Sequence, residues 1–343
     1  MEPEVQRPTI ELVARKANVS KTTISRFLNG RYEYMSKETQ SRIQKVIEEL
    51  NYWPSSSARS LRSKKSGLIG VIVADIGTAF SSILVKGIGD YCNAHGYHIV
   101  IANSDEDPGK ERAYLESFVG GGMVEGLIVN TTGYNDNLLT EIGLNQPIVI
   151  AERAMAQLRF DTVGTDNHTT MHEALHHMQT AGFGPIAFFT QPIRMNSVRR
   201  ARQQAYIDFC NVHAQQDPVL FEIDPSNLPE VASAVQRISE YGRGAHPAIL
   251  SVNGVTTLAI LKCAGELGIG IPQNLGICGY DDWDWASLIS PGITTIAHPT
   301  YEVGKTAGEL AIARVCGDDA EARNIQLPST LHVRGSTILP VSS

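Results

Sequence analysis

Several polar residues between Thr9 and Asn29 are of the types that contact DNA, and their spacing groups them. In TIELVARKANVSKTTISRFLNG, Lys21, Thr22, Ser25 and Arg26 fall on one face of a short predicted helix. Guanidinium and ammonium groups bind guanine edges and phosphates, and hydroxyls bind either. The predicted DNA-contacting surface consists of Thr9, Ser20, Lys21, Thr22, Thr23, Ser25, Arg26 and Asn29.

Two short helices joined by a tight turn would position this surface. The first is indicated by apolar residues at i, i+3, i+4 and i+7: Ile10, Val13, Ala14 and Ala17. Thr9 can cap its start, Asn18 tolerates the left-handed backbone of a turn, and Ser20 can cap the second helix. The second helix turns Ile24, Phe27 and Leu28 inward. This helix-turn-helix spacing occurs in DNA-binding proteins and also as a simple packing motif.

The residues after this motif favour the DNA-binding interpretation. Ser36 can cap a third helix with an apolar stripe: Ile43, Val46, Ile47 and Leu50. The following segment, PSSSARSLRSKKSG from Pro54, has Leu61 as its one large apolar residue. Because this segment cannot bury a face on itself, we expect it to be helical only when another surface supports it.

Charge is distributed unevenly along the 343 residues, whose net charge is −7. Residues 1–65 hold 13 Lys and Arg against 7 Asp and Glu, so the rest of the chain carries net −13. A basic head on an acidic body is typical of a nucleic-acid reader joined to a second module. The length suits one small domain and two medium ones.

The sequence carries no signal for export. The first twenty residues lack an apolar h-region, and no run approaches the roughly 18 apolar residues of a membrane span. The five cysteines are widely spaced without a CxxC pair, which disfavours zinc and redox sites and fits reduced thiols. We therefore expect a cytoplasmic protein with no membrane partner.

From residue 67 onward, predicted strands and helices alternate. Short apolar runs such as LIGVIVAD are typical of buried parallel strands, and segments of helical period separate them. The predicted strands are 68–75, 97–104, 126–131 and 147–152 in one half, and 185–191, 219–224, 248–253 and 274–281 in the other. This pattern predicts an α/β body of two doubly wound parallel-sheet lobes, with a ligand at the carboxyl ends of strands.

Three segments, Thr9 to Gly30, LNYWPSSSARSLRS at 50–63 and the GLIGVIVADI strand, together resemble the LacI/GalR family of bacterial transcription regulators. The resemblance implies an N-terminal all-α helix-turn-helix domain of three helices plus a hinge helix, and a body resembling periplasmic sugar-binding proteins. It adds four residues to the DNA-binding set: Tyr52, Ser55, Ala58 and Leu61, the last entering the minor groove. The chain departs from the family at Asn18, which is usually glycine, and in a longer loop at 31–35.

The resemblance also implies the domain boundaries and the assembly. The helix-turn-helix domain would span 1–53, the hinge 54–66, the N-terminal lobe 67–165 plus 296–328, and the C-terminal lobe 166–295 plus 329–343. We expect the chain to return to the first lobe through strand 294–299 and helix 300–316. A two-fold operator requires a two-fold protein, so a homodimer through the first lobe is expected. The segment 317–343 does not resemble a heptad tail, which disfavours a coiled-coil tetramer.

Residues at predicted strand ends are the candidate effector site. The family pattern and its neighbours on the chain give nine of them: Phe80, Ser81, Glu152, Arg153, Arg199, Arg202, Asn253, Asp281 and Trp283. Alternatives remain for several, because Phe80 could belong to the core and Glu152 could form a surface ion pair with Arg153. Trp283 and Trp285 could instead pack at a subunit interface. Gly254 stands where the family has aspartate.

An arginine-rich run suggests the chemistry of the effector: Arg194, Arg199, Arg200 and Arg202. Guanidinium forks bind carboxylate or phosphate, while Asn253 and Asp281 could accept sugar hydroxyls. This favours an anionic sugar derivative, and the sequence looks like the branch of the family that answers sugar acids such as 2-keto-3-deoxygluconate. We expect a small-molecule effector and no cofactor.

Motifs for catalysis or metal binding are lacking in the sequence. There is no GxSxG, HExxH or P-loop, and the pair His172 and His176 has no third ligand at a suitable spacing. Two functions remain: a repressor released from a pseudo-palindromic operator by its effector, or a sugar-binding or sugar-processing protein whose N-terminal helices only pack. The Ser/Arg-rich segment 54–65 favours the first. An activator or a global carbon regulator remains open.

Overall fold

A computed structural model describes residues 8–52, 66–213, 217–241 and 246–339. The chain divides into two compact units, residues 1–66 and residues 67–343. Within the described residues, no helix is both long enough and apolar enough to cross a membrane.

Within residues 8–52, the first unit has three α-helices, α1 (Ile10–Lys16), α2 (Lys21–Leu28) and α3 (Lys37–Glu49). The predicted caps are confirmed, because the hydroxyls of Thr9, Ser20 and Ser36 accept hydrogen bonds from backbone N–H groups in the first turns. Such caps contribute about 1 kcal/mol each. Asn18 makes the turn with φ 50°, as predicted. The core of this unit contains Val13, Ala14, Ala17, Ile24, Ile43, Val46 and Tyr52.

The second unit contains twelve described strands. They are β1 (Leu68–Val73), β2 (His98–Asn103), β3 (Gly126–Val129), β4 (Ile148–Ala151), β5 (Asp161–Thr165), β6 (Ile186–Thr190), β7 (Val219–Glu222), β8 (Ala248–Ser251), β9 (Gly276–Tyr280), β10 (Thr294–Ala297), β11 (Asn324–Leu327) and β12 (Thr330–His332). They form two six-stranded sheets, with strand orders β11-β5-β4-β3-β1-β2 and β12-β10-β9-β8-β6-β7. All pairs are parallel except β10 with β12.

Helices cover both faces of each sheet, which explains why most strands are apolar on both sides. The helices are α4 (Ala79–Ala94), α5 (Pro108–Gly120), α6 (Asp136–Ile142), α7 (Asn167–Thr180), α8 (Ser197–His213), α9 (Leu228–Ser239), α10 (Gly254–Glu266), α11 (Trp285–Leu288) and α12 (Thr300–Val315). Helices α4 and α12 pack closely at Gly87 and Gly304, where an added Cβ would lie 2.2 Å from the backbone of the other helix. The two predicted doubly wound lobes are confirmed.

The predicted lobe boundary is wrong at one strand. Strand β10 pairs with β9 and β12 of the second sheet, so residues 296 and 297 belong to the C-terminal lobe. The chain returns to the first lobe after β10, through α12, whose apolar face packs on the first sheet. It also crosses between β5 and α7, and again between β11 and β12. Three crossings favour hinge motion of the lobes over independent motion.

The returning strand β11 is fixed by one buried carboxylate. Asp161, at the start of β5, accepts hydrogen bonds from Nε and Nη2 of Arg314 on α12, at 2.8 and 3.1 Å. It also accepts from the backbone N, Nε and Nη2 of Arg323, which immediately precedes β11. Burial raises the pKa of Asp161, but the hydrogen bonds from Arg323 and Arg314 outweigh it and hold the pKa far below its ordinary value. Asp161 therefore stays ionised at neutral pH.

Candidate functional site

A cleft of about 180 Å³ lies between the two lobes at the carboxyl ends of their strands. All nine predicted effector residues line it: Phe80, Ser81, Glu152, Arg153, Arg199, Arg202, Asn253, Asp281 and Trp283. The cleft is also lined by Asp75, Glu106, Asn130, Gln191, Asn196 and His298, which the sequence interpretation missed. These residues follow strands β1, β2, β3, β6 and β10 or precede α8, so topology brings them to one place.

One wall comes from the first lobe. Phe80 and Ser81 lie in the first turn of α4, which Thr78 caps by accepting from Ser81 N at 3.3 Å. Phe80 also packs against the core of the lobe, so the core and cleft interpretations both hold for it. Glu152 follows β4 with a left-handed backbone, φ 63°, and its side chain lines the cleft. Its carboxylate is buried, and Oε2 has no hydrogen-bond partner among the described residues.

Arg202 is buried at the base of the cleft and is held by its own lobe. Its Nε donates to Asn167 Oδ1 at 2.7 Å, Nη1 donates to the Val252 carbonyl at 2.5 Å, and Nη2 lies 2.7 Å from His298 Nε2. Its guanidinium stacks 3.6 Å above the ring centre of Tyr280. Glu152 of the other lobe is 3.7 Å away. Arg202 therefore organises the floor of the cleft, and most of its donors are already used.

Two buried carboxyls face Arg202 from opposite lobes. Burial raises the pKa of Glu152; Arg202 opposes this shift, and Asp281 adds to it. Burial also raises the pKa of Asp281, whereas the hydrogen bond from the Gly254 N–H and the charge of Arg202 lower it. Burial and the charge of Arg202 both lower the pKa of His298, so its ring is neutral. Carboxyls with raised pKa values bind hydroxyl groups either as acceptors or, when protonated, as donors. This pair suits a polyol.

The second lobe contributes an indole wall. Trp283 lines the cleft and packs against Gly254, where a Cβ would lie 2.7 Å from the ring. Gly254 thus makes room for Trp283, and its N–H donates to Asp281 Oδ2 at 2.8 Å. Asn253 caps α10 through a hydrogen bond from Thr256 N to its Oδ1, and its Nδ2 donates to Gln191. Its predicted role as a hydroxyl acceptor is therefore limited to one remaining lone pair. Trp285 packs into the core of the second lobe.

The arginine-rich run divides into two pairs. Arg199 and Arg202 line the cleft, whereas Arg194 and Arg200 are exposed and do not. Of this run, Arg199 and Arg202 were the predicted effector residues, and the helical period of α8 turns Arg200 to solvent. Burial lowers the pKa of Arg199 to about 10, although the charge of Glu106 raises it, so Arg199 remains a cation at neutral pH.

A carboxylate of the protein already joins two cleft arginines. Glu106 Oε2 accepts from Arg153 Nη1 at 2.9 Å, and Glu106 Oε1 accepts from Arg153 Nη2. Arg199 Nη2, on the other lobe, is 3.5 Å from Glu106 Oε1. The Glu152–Arg153 surface pair considered above is absent, because Arg153 pairs with Glu106 and is buried. Glu106 lies in the acidic loop after β2, and only its position after a strand could have indicated it.

The predicted DNA surface is on α2 and the residue before α1. Lys21, Thr22 and Arg26 are exposed, and Thr23 and Ser25 are partly exposed. Lys21 forms an ion pair with Glu11 of α1, and the Arg26 guanidinium lies 5.3 Å from the Tyr34 ring centre. These residues form one polar face on the helix.

Other residues of the predicted DNA-binding set have local roles or lie elsewhere. Thr9 and Ser20 cap helices, and Asn29 Nδ2 donates to the Ser25 carbonyl at 2.7 Å. Tyr52 was predicted to face DNA but is 8% exposed, because it follows α3 and packs into the core of the three helices. Ser55, Ala58 and Leu61 lie outside the described residues.

Both units match known protein families. Residues 9–55 match the model of bacterial regulatory proteins of the lacI family, and residues 175–337 match a periplasmic binding protein-like domain. The chain is 39% identical to the HTH-type transcriptional regulator KdgR of Bacillus subtilis over 330 residues, covering 96% of this chain and 97% of that protein. It is 35% identical to the regulator PtxS of Pseudomonas putida, covering 97% of this chain and 96% of that protein.

The fold is shared with a solved repressor structure. The crystal structure of the lac repressor dimer bound to operator and the anti-inducer ONPF superposes with a TM-score of 0.84 at 21% identity. The superposition covers 97% of this chain and 100% of that one.

Proposed function

Because the chain belongs to the LacI family of bacterial DNA-binding transcriptional regulators, we propose that it is a cytoplasmic repressor whose DNA binding is relieved by a sugar acid. The observation that carries the effector class is the composition of the cleft. Arg153 and Arg199 offer guanidinium groups at one end, and the buried carboxyls of Glu152 and Asp281 lie with Trp283 elsewhere in the same cleft. Guanidinium suits a carboxylate, and carboxyls with an aromatic face suit a hydroxylated chain.

The effector acts, in this proposal, by binding the two lobe arrangements unequally. A ligand changes DNA affinity only to the extent that it prefers one conformation of the protein. Residues of both lobes line the cleft, so closure around a ligand changes the lobe arrangement. The nine predicted effector residues and the boundaries of the hinge at 54–66 are part of this proposal.

The DNA-binding form is proposed to be a homodimer on a pseudo-palindromic operator. The lac repressor, which shares the fold, was crystallised as a dimer bound to operator. Three large apolar side chains of the first lobe, Ile76, Ile83 and Ile101, are each about 40% exposed in the single chain. Exposed apolar side chains of this lobe would be buried in a two-fold interface. The hinge residues Ser55, Ala58 and Leu61 would contact DNA only in that dimer.

Arg26→Ala is expected to weaken operator binding by about 1–3 kcal/mol, the usual loss for one base-reading side chain. The reason is that Arg26 is exposed on α2 and, among the described residues, forms no ion pair that would keep its guanidinium from DNA. Fluorescence anisotropy with an operator selected from a random library measures the effect. Arg42→Ala, on the exposed face of α3, should leave the ratio of operator to random-DNA affinity unchanged. A ratio of operator to random-DNA affinity that Arg26→Ala leaves unchanged would show that Arg26 does not read bases.

The sugar-acid proposal is tested by thermal shift of the wild-type protein with matched ligands. D-gluconate, D-glucuronate and 2-keto-3-deoxygluconate are compared with D-glucitol, D-glucose and glucose 6-phosphate. We expect at least one carboxylic acid to raise the Tm by about 2–4 °C, and the neutral sugars to raise it less. Arg199→Gln should abolish the shift, whereas Arg200→Gln, one residue along α8 and outside the cleft, should keep it. Stabilisation by neutral sugars alone would contradict the acid preference.

A further inference from the structure

We propose that Glu106 is a built-in substitute for the carboxylate of the effector and acts as the residue that selects anionic ligands over neutral ones. This inference rests on the proposed function, because it names the cleft residue that a sugar acid must displace. It arises from the ion pairs that Glu106 makes with Arg153 of its own lobe and Arg199 of the other lobe.

The geometry shows that Glu106 occupies the place of a bound anion. Its two oxygens pair with two nitrogens of Arg153, which is the two-point arrangement that a ligand carboxylate makes with a guanidinium. The same Oε1 lies 3.5 Å from Arg199 Nη2. The Glu106 carboxylate thereby partners both arginines and links the lobes.

The backbone holds Glu106 in this position although its side chain remains open to water. Asp105 and Glu106 both have left-handed backbone angles, φ 51° and 56°, and Glu106 N donates to the Ala74 carbonyl at 2.8 Å. The Glu106 side chain is 41% exposed, whereas those of Arg153 and Arg199 are 10% and 16% exposed. Glu106 can therefore swing into solvent, while the arginines stay in the cleft.

The charges explain why displacement selects an acid. Burial in the cleft raises the pKa of Glu106, but the hydrogen bond and charge of Arg153 and the charge of Arg199 outweigh it, so Glu106 is ionised. A neutral sugar that displaced Glu106 would leave two largely buried cations without an anion, which is costly. A sugar acid replaces one carboxylate by another and adds its hydroxyl contacts. Rejection of the neutral ligand is therefore built into the site.

Two variants separate this role from a local structural one. Glu106→Gln keeps the size of the side chain and removes its charge. Asp105→Asn is the control, because it removes the charge of the preceding residue, which has the same left-handed backbone. Asp105 pairs with Lys110 and does not line the cleft. Both variants are expected to fold, because both side chains are exposed, and glutamine and asparagine keep the size of the side chain and one acceptor oxygen.

The first test uses acetate, so it does not depend on the identity of the effector. Acetate should raise the Tm of Glu106→Gln by about 2–4 °C when its concentration is about five times its dissociation constant. The Tm of wild type and of Asp105→Asn should not change. Acetate that shifts all three proteins equally, or none of them, would overturn the proposal.

The second test uses D-gluconate and D-glucitol, which share a carbon chain and differ in the carboxylate. Calorimetric titration should show about tenfold tighter gluconate binding by Glu106→Gln than by wild type, and tighter glucitol binding as well, because neither ligand then has to break the ion pairs of Glu106. Weaker binding of both ligands would show instead that Glu106 contacts sugar hydroxyls directly, and would overturn the proposal. If acetate stabilises Glu106→Gln but no sugar acid binds any form, the displaced-anion role stands and the sugar-acid function fails.

Discussion

Arg202→Ala is expected to lower the free energy of unfolding by about 3–5 kcal/mol, the cost of breaking a buried charge cluster. The variant loses three hydrogen bonds and the stacking on Tyr280, and it leaves Glu152 and Asp281 without their shared cation. Urea unfolding followed by fluorescence of Trp283 and Trp285 measures the loss in the second lobe.

The pH dependence of that loss identifies its cause. Glu152 and Asp281 already have raised pKa values, and removing Arg202 raises them further. A carboxyl whose pKa is higher in the folded than in the unfolded state stabilises the fold at a pH below the unfolded-state pKa. That stabilisation is lost as the pH rises through the folded-state pKa. Arg202→Ala should therefore be closer to wild type at pH 5 than at pH 8. Arg200→Ala, which is exposed on the same helix, should change stability by less than about 0.5 kcal/mol. A pH-independent loss would assign the effect to packing alone.

Asp161→Ala is expected to destabilise the first lobe by about 3 kcal/mol, the low end for a broken buried ion pair. The low end applies because Arg314 and Arg323 are 16% and 38% exposed and can reach water once Asp161 is removed. Urea unfolding followed by circular dichroism measures the loss. Asp319→Ala, a nearby exposed aspartate, serves as the control and should be nearly neutral.

Low pH should destabilise the wild-type protein for the same reason, because it protonates Asp161. The folded pKa of Asp161 lies below its unfolded value of about 3.9. Its contribution is therefore complete above about pH 4 and is lost as the pH falls through the folded pKa. Between pH 7 and pH 3 the difference between wild type and Asp161→Ala should shrink. A difference that stays constant over that range would show that folding does not lower the pKa of Asp161.

Helix caps and turns of this fold could be predicted from local sequence patterns. The caps at Thr9, Ser20 and Ser36 and the turn at Asn18 were predictable because each depends on a few neighbouring residues. Strand β10 was assigned to the wrong lobe because its apolar run fits either sheet. Its partners, β9 and β12, are set by packing of distant segments, which no local pattern encodes.

The cleft shows the same division between local and distant information. Asp281 and Trp283 were predictable because they follow a strand in a specific motif. The role of Arg202 was only half predicted, because helical spacing places it in the cleft but does not show that Asn167 and Val252 already occupy its donors. Glu106 was missed because one acid in the run DEDP looks like a solvated loop residue. Only its contact with Arg199 of the other lobe distinguishes it.

The most direct test of the central claim is operator affinity measured with and without the acid that gives the largest thermal shift. Anisotropy of a labelled operator should show about 5–150-fold weaker DNA binding at saturating acid, the usual range of coupling between two sites. Arg199→Gln should bind the operator like wild type and lose this response, while Arg200→Gln keeps it. Operator affinity that is unchanged by a tightly bound sugar acid would contradict the account.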